Sequence, residues 1–180
     1  MIETLPLIHQ ACWHELAAGT TQRGHGFRLM GLATVNGDGA DLRTVVLREV
    51  QPDTHTLMFF TDARSPKVAQ IQAHPAATLM LWCARLGWQL RLRVRLAVET
   101  NGLAVSSRWA RLSLTPAALD YMAPLPPGSA LDRVLPVRAS RAQFAVVSAH
   151  VQAIDWLELH SAGRRRAQFD ASGTGQWVTP

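Results

Sequence analysis

The residues best suited to chemistry in this chain lie between Arg43 and Arg95, and among them is Lys67, the only lysine in 180 residues. The other seventeen cationic side chains are all arginine, so one lysine in the turn Asp62-Ala63-Arg64-Ser65-Pro66-Lys67 departs from the habit of the whole chain. A compact ammonium beside a hydroxyl at a helix start suits a phosphate, because the first helical turn presents unpaired N–H groups. A solvated lysine in a first turn would look the same in isolation. Its company argues for the anion: Arg43 and Arg48 lie upstream, each with a planar fork of donors, and Gln89 lies downstream with an amide that both donates and accepts.

Other groupings carry less. His9, Cys12 and His14 are close in sequence, yet their spacing does not put all three on one helical face, so core and surface roles outweigh a metal site. Cys12 and Cys83 are far apart without C-x-x-C spacing, which points to neither zinc nor a disulfide framework and fits a reducing compartment. No Ser-His-Asp order is persuasive, and no G-x-G-x-x-G follows a strand. The run Arg164-Arg165-Arg166 lacks the aromatic interleaving of a nucleic-acid module and reads better as a solvated or ligand-adjacent face.

Eighteen cations against thirteen anions give a net charge of +5 without a block of like charge, which permits anionic ligands but demands neither nucleic acid nor membrane. With 48% hydrophobic residues, one domain over 1–180 with one sizeable core is the default. No signal-like N-terminus and no apolar run near the roughly 18 residues of a bilayer span occur, so a soluble, cytoplasmic protein is expected.

The elements that must position these residues follow from periodicity. Leu5, Ile8, Cys12, Trp13 and Leu16 predict a helix from about Pro6 to Ala18, stopped by Gly19. Arg28 to Val35 is an apolar run ending in Asn36-Gly37-Asp38-Gly39, a hairpin signal, and Leu42 to Val50 and His55 to Thr61 continue as strands about a turn at 51–54. Pro66 to His74 predicts a short helix. Ala77 to Ala84 and Trp88 to Glu99 predict strands, the second alternating Leu90, Leu92, Val94 and Leu96 with Arg91, Arg93 and Arg95. Such a strand buries one face and needs a cover of water, acids or another subunit over the other. Helices are expected over Asn101 to Arg111 and Thr115 to Met122, a Pro-rich loop at 124–128, then strands at Phe144 to Ser148, Ala153 to Leu159 and Arg164 to Phe169, before a tail holding Trp177. This succession predicts an α+β domain built on an antiparallel split β-barrel with peripheral helices.

The order Arg43-Thr44-Val45-Val46-Leu47-Arg48, Phe59-Phe60-Thr61-Asp62, Ser65-Pro66-Lys67 and Trp88-Gln89-Leu90-Arg91, closed by Asp155-Trp156-Leu157, Gly163-Arg164-Arg165-Arg166 and Trp177, resembles the pyridoxamine 5′-phosphate oxidase family of FMN-binding split barrels, and within it the shorter oxidase-like branch. The resemblance implies FMN as cofactor, its phosphate held by Arg43 and Lys67 with Ser65 and Thr61. It implies Val46, Leu47 and Arg48 beneath the flavin, Phe60 at its edge, and Gln89 reaching the ring from the partner subunit of a homodimer. The closing segment's ring-contacting tryptophan falls at Leu157, with Trp156 one place earlier as the nearest candidate, and Arg164 and Arg166 stand where the family grips its substrate.

The departures qualify the activity. The family's lysine ending the first motif is Arg48, and the arginine before Lys67 is Pro66, so one phosphate cation is missing unless Arg64 supplies it. The R-x-H substrate pattern reads Arg164-Arg165-Arg166, and the helical Tyr and Arg that hold the substrate phosphate lack a counterpart around Trp109 to Thr115. The resemblance therefore implies an FMN-dependent oxidoreductase for an unidentified small molecule, with a non-catalytic flavin-binding or flavin-sequestering protein and a basic interaction module as the rival readings.

Overall fold

The computed structural model describes residues 4–37, 39–121, 123–130, 143–160 and 163–180. Asp38 of the predicted turn and Met122 at the end of a predicted helix lie outside them.

The N-terminal helix α1 (Leu5–Thr21) buries Ile8, Cys12, Trp13 and Leu16. It runs through Gly19 rather than ending there: Gly19 is buried, and a Cβ at that position would meet the Phe27 backbone at 3.2 Å. That glycine serves close approach, not termination. The strands β1 (Leu29–Asn36) and β2 (Gly39–Val46) form the predicted hairpin, with Asn36 paired to Gly39 and Gly37 at φ 60°. After β2 the chain crosses between sheet edges, since the Leu47 N–H bonds to the Arg28 carbonyl beside β1 while the Arg48 N–H bonds to the Met58 carbonyl. This crossing closes the barrel, and it splits the predicted strand 42–50 into β2 and the short β3 (Glu49–Gln51). β3 pairs with β4 (Thr56–Asp62).

Beyond α2 (Pro66–Ala73) come β5 (Ala76–Cys83) and β6 (Trp88–Glu99), then α3 (Leu103–Leu112) and a 3₁₀ segment Pro116–Tyr121 where an α-helix was expected. The long β7 (Phe144–His160) replaces the two strands read from the sequence, and β8 (Gly163–Asp170) and β9 (Gly175–Val178) complete an all-antiparallel sheet in the order β2-β1-β5-β6-β7-β4-β3, with β8 on β7 and β9 on β8.

The core lies inside this barrel and under α1. Leu79, Leu81, Leu90, Leu92, Val94, Leu96, Ile154, Trp156 and Phe169 are buried together. A one-residue slip of β6 would exchange its buried Leu and Val side chains for Arg91, Arg93 and Arg95, and burying unpaired guanidiniums costs far more than the apolar contacts gain, so the register is firmly fixed. A second cluster of Met58, Val105, Leu112, Tyr121, Phe144 and Val146 seats α3 against β4 and β7.

Candidate functional site

Two groups of polar side chains stand out, on different faces of the sheet. The first covers one mouth of the barrel under α2. Arg43 shares the inward side of β2 with buried Val45. Its Nη1 donates to Thr34 Oγ1 at 2.5 Å, and its Nη2 donates to Gln70 Oε1 at 2.7 Å and pairs with Asp41 Oδ2 at 2.6 Å. Lys67 donates from Nζ to Ser65 Oγ at 2.6 Å and to Thr61 Oγ1 at 3.1 Å. Ser65 is the N-cap of α2, yet its side chain makes no capping bond, and Pro66 behind it has no N–H to satisfy. The Ser65 hydroxyl is left free to accept from Lys67 and to donate to a ligand.

Burial pushes the Lys67 ammonium below the usual lysine range, reinforced by the Arg43 charge and opposed by Asp62 and Asp41. A half-buried cation beside another cation is short of negative charge. The arrangement of guanidinium, ammonium and two hydroxyls at a helix start fits the terminal phosphate of FMN. Arg64 does not fill the place left by Pro66: it binds Asp62 through Nε at 3.0 Å and Nη2 at 2.6 Å, and also the carbonyls of Ala123, Pro124 and Leu125.

The second group runs across the outer face of the sheet. Gln89 is paired with Trp82 on β5 and with Leu157 on β7, Leu157 with Arg166 on β8, and Arg166 with Val178 on β9. Val46 ends the same face at β2, opposite Leu29. Beside this row Asp155 receives Arg91 Nη2 at 2.5 Å, Arg166 Nε and Nη2 at 3.0 and 2.7 Å, and Gln168 Nε2 at 3.1 Å. Burial opposes the Asp155 charge, but these donors prevail and hold its carboxyl well below the usual range. Asp155, Arg91 and Gln168 line an open cavity of about 520 Å³ together with Thr78, Arg93 and Gln176.

The sequence-derived residues thus fall into three sets. Arg43, Thr61, Ser65 and Lys67 come together at the barrel mouth, whereas Val46, Gln89 and Arg166 share the outer face. The rest lie elsewhere. Leu47 and Trp156 are wholly buried in the core, and Leu157, not Trp156, faces outward beside Gln89. Phe60 packs edge-on against Phe144. Arg48 donates to the Tyr121 hydroxyl at 3.3 Å and lies 3.7 Å from Asp120, in the α3 region. Arg164 is exposed. Sequence reasoning missed Thr34, Asp41 and Gln70, which surround Arg43; a buried threonine on β1 is visible only once β1 and β2 are in register.

A family model described as pyridoxamine 5′-phosphate oxidase, FMN-binding domain, matches residues 10–100. The chain belongs to this family. The matched domain is the FMN-binding one, so FMN is the cofactor, and the predicted fold class is the one found. The pyridoxine/pyridoxamine 5′-phosphate oxidase of Caulobacter vibrioides is 34% identical over 108 residues, 58% of this chain and 48% of that protein. Its counterpart from Thermosynechococcus vestitus is 45% identical over 64 residues, 35% of this chain and 29% of that one. The matches span less than half the length of these two curated relatives. Among solved structures, a pyridoxamine 5′-phosphate oxidase-related, FMN-binding protein of Nostoc punctiforme PCC 73102 superposes with a TM-score of 0.75 at 24% identity, covering 95% of this chain and 96% of that one. PhzG of Burkholderia lata 383, solved with tetrahydrophenazine-1-carboxylic acid, gives 0.73 at 16% identity over 97% and 92%. At these identities the structural likeness speaks for the split-barrel fold.

Proposed function

We propose that the chain is an FMN-dependent oxidoreductase acting on a small molecule, working as a homodimer with the flavin between its subunits. The observation that carries this reading is Lys67: a half-buried ammonium held by Thr61 and Ser65 at the start of α2, beside Arg43, with one N–H unspent among the described residues. Two cations and two hydroxyls bind a terminal phosphate dianion and leave a flavin lacking it unanchored. Gln89 and Leu157 stand on the outer face, away from that mouth, so a ligand touching both groups draws them from two chains.

When bound, FMN supplies hydride acceptance and onward electron transfer. The residues here bind and orient: Arg43, Lys67 and Ser65 fix the phosphate, Gln89 offers an amide to a ring edge of mixed donors and acceptors, and Val46 and Leu157 supply apolar surface that excludes water. Arg48 and Tyr121 form a separate polar pair. The Arg48 Nε is buried without a partner among the described residues, a cost that a small anionic or carbonyl-bearing substrate would relieve.

The test is anaerobic titration of FMN-loaded protein with reduced nicotinamides and small-molecule donors, followed by air. The reading expects bleaching of the flavin's visible absorbance faster than for free FMN, and its return with oxygen. Flavin bound but never bleached faster than free FMN would assign the chain to flavin storage instead.

A further inference from the structure

The two cations at the barrel mouth differ in what they have left to give. Lys67 spends two of its three N–H groups, on Thr61 and Ser65. Arg43 is more crowded: Nη1 donates to Thr34 Oγ1 and the Leu32 carbonyl, at 2.5 and 3.4 Å, and Nη2 donates to Gln70 Oε1 at 2.7 Å and is ion-paired with Asp41 Oδ2 at 2.6 Å. An anion arriving at the two terminal nitrogens of Arg43 therefore meets acceptors already there.

The four acceptors are not equally easy to displace. The Leu32 carbonyl belongs to β1, Thr34 is buried, and Gln70 Oε1 also accepts from Thr34 Oγ1 at 2.7 Å. Asp41 is different, with a side chain 43% exposed. A hydrogen bond from Gln70 Nε2 at 2.9 Å, outweighing partial burial and joined by Arg43, keeps its carboxyl below the usual range and therefore charged.

We propose that Asp41 is an internal occupant of the phosphate site, a carboxylate that the ligand's phosphate must expel from Arg43 or tolerate beside it. This rests on the FMN reading above and adds a residue that sets phosphate selectivity. Two anions on one guanidinium repel each other, and that repulsion opposes a dianion while leaving a neutral ligand untouched. Asp41 lowers the affinity for FMN without altering that for riboflavin, which makes cofactor loading reversible in a site whose cations would otherwise hold it more firmly.

The test is flavin-fluorescence titration of FMN and riboflavin against wild type, Asp41→Asn and Asp41→Ala. Asn keeps the acceptor for Gln70 and Arg43 while removing the charge, and Ala removes both. The proposal expects both variants to bind FMN about tenfold more tightly than wild type, with riboflavin affinity unchanged as the control for correct folding. A positioning role for Asp41 would weaken FMN binding in Ala and leave Asn like wild type, and that result overturns the proposal alone. Failure of all three proteins to prefer FMN over riboflavin would overturn the phosphate-cradle reading with it.

Discussion

Gln89 and Leu157 are directly paired across β6 and β7 with their side chains on the outer face, while Trp156, one residue away, is sealed in the core. The same face exposes Met80 and Trp82 on β5, and Leu42 on β2 is 70% exposed. Apolar side chains grouped with polar ones on one sheet face suit a second copy of the chain. The chain is accordingly expected to sediment as a dimer with or without flavin. Met80→Glu should shift it toward monomer and weaken FMN binding together; a monomeric wild type that binds FMN tightly would refute the shared site.

Asp155 supplies a prediction about pH. Its folded carboxyl titrates well below the unfolded value of about 3.9, so its contribution to stability is fully present above that value and is lost as acid protonates it in both states. Urea melts of wild type and Asp155→Asn should differ at pH 7 and converge as the pH falls below about 4. Two curves separated by a constant amount down to the acid limit would show that the four hydrogen bonds to Asp155 carry no charge-linked stability.

Turnover of pyridoxamine 5′-phosphate should be poor. Arg166 is committed to Asp155, Arg165 to Glu158 at 2.5 Å, and Arg64 to Asp62, so three arginines that might clamp a substrate phosphate already have carboxylate partners. A second phosphate relying on these three is desolvated while competing with the carboxylates they already bind. Steady-state assay of FMN-loaded protein should give a kcat/KM below about 10⁴ M⁻¹s⁻¹, and a value above it would overturn this expectation.

Much of the barrel was legible because its signals are local. The Asn36-Gly37 turn and the Leu/Arg alternation of β6 each carry their geometry in a few residues. The break read at 149–152 is instead a bulge: Arg93 faces Ala153 while Val94 faces Val151, so Gln152 is the extra residue. Burial then shifts phase from Val147, Ala149 and Val151 to Ile154 and Trp156, which in sequence imitates the end of one strand and the start of another. Barrel closure at Leu47 and Arg48 was hidden because it depends on which edges meet. In the site, Arg43, Ser65 and Lys67 were legible as residue types in order, whereas Gln70 was not, since only the packing of α2 brings it onto Arg43 and Asp41, and Asp41, two residues before Arg43 on the same face of β2, fell just outside the strand read from Leu42. The assignment of Trp156 foundered on strand alternation, which sends neighbouring residues to opposite faces.

The central claim is that Arg43, Ser65 and Lys67 hold the phosphate of FMN. It is tested most directly by calorimetric titration of FMN and riboflavin into wild type and Lys67→Ala. Wild type should prefer FMN, and Lys67→Ala should lose about 1.5 to 3 kcal/mol, roughly ten- to a hundredfold, on FMN alone. Equal affinity of the wild-type protein for FMN and riboflavin would contradict it.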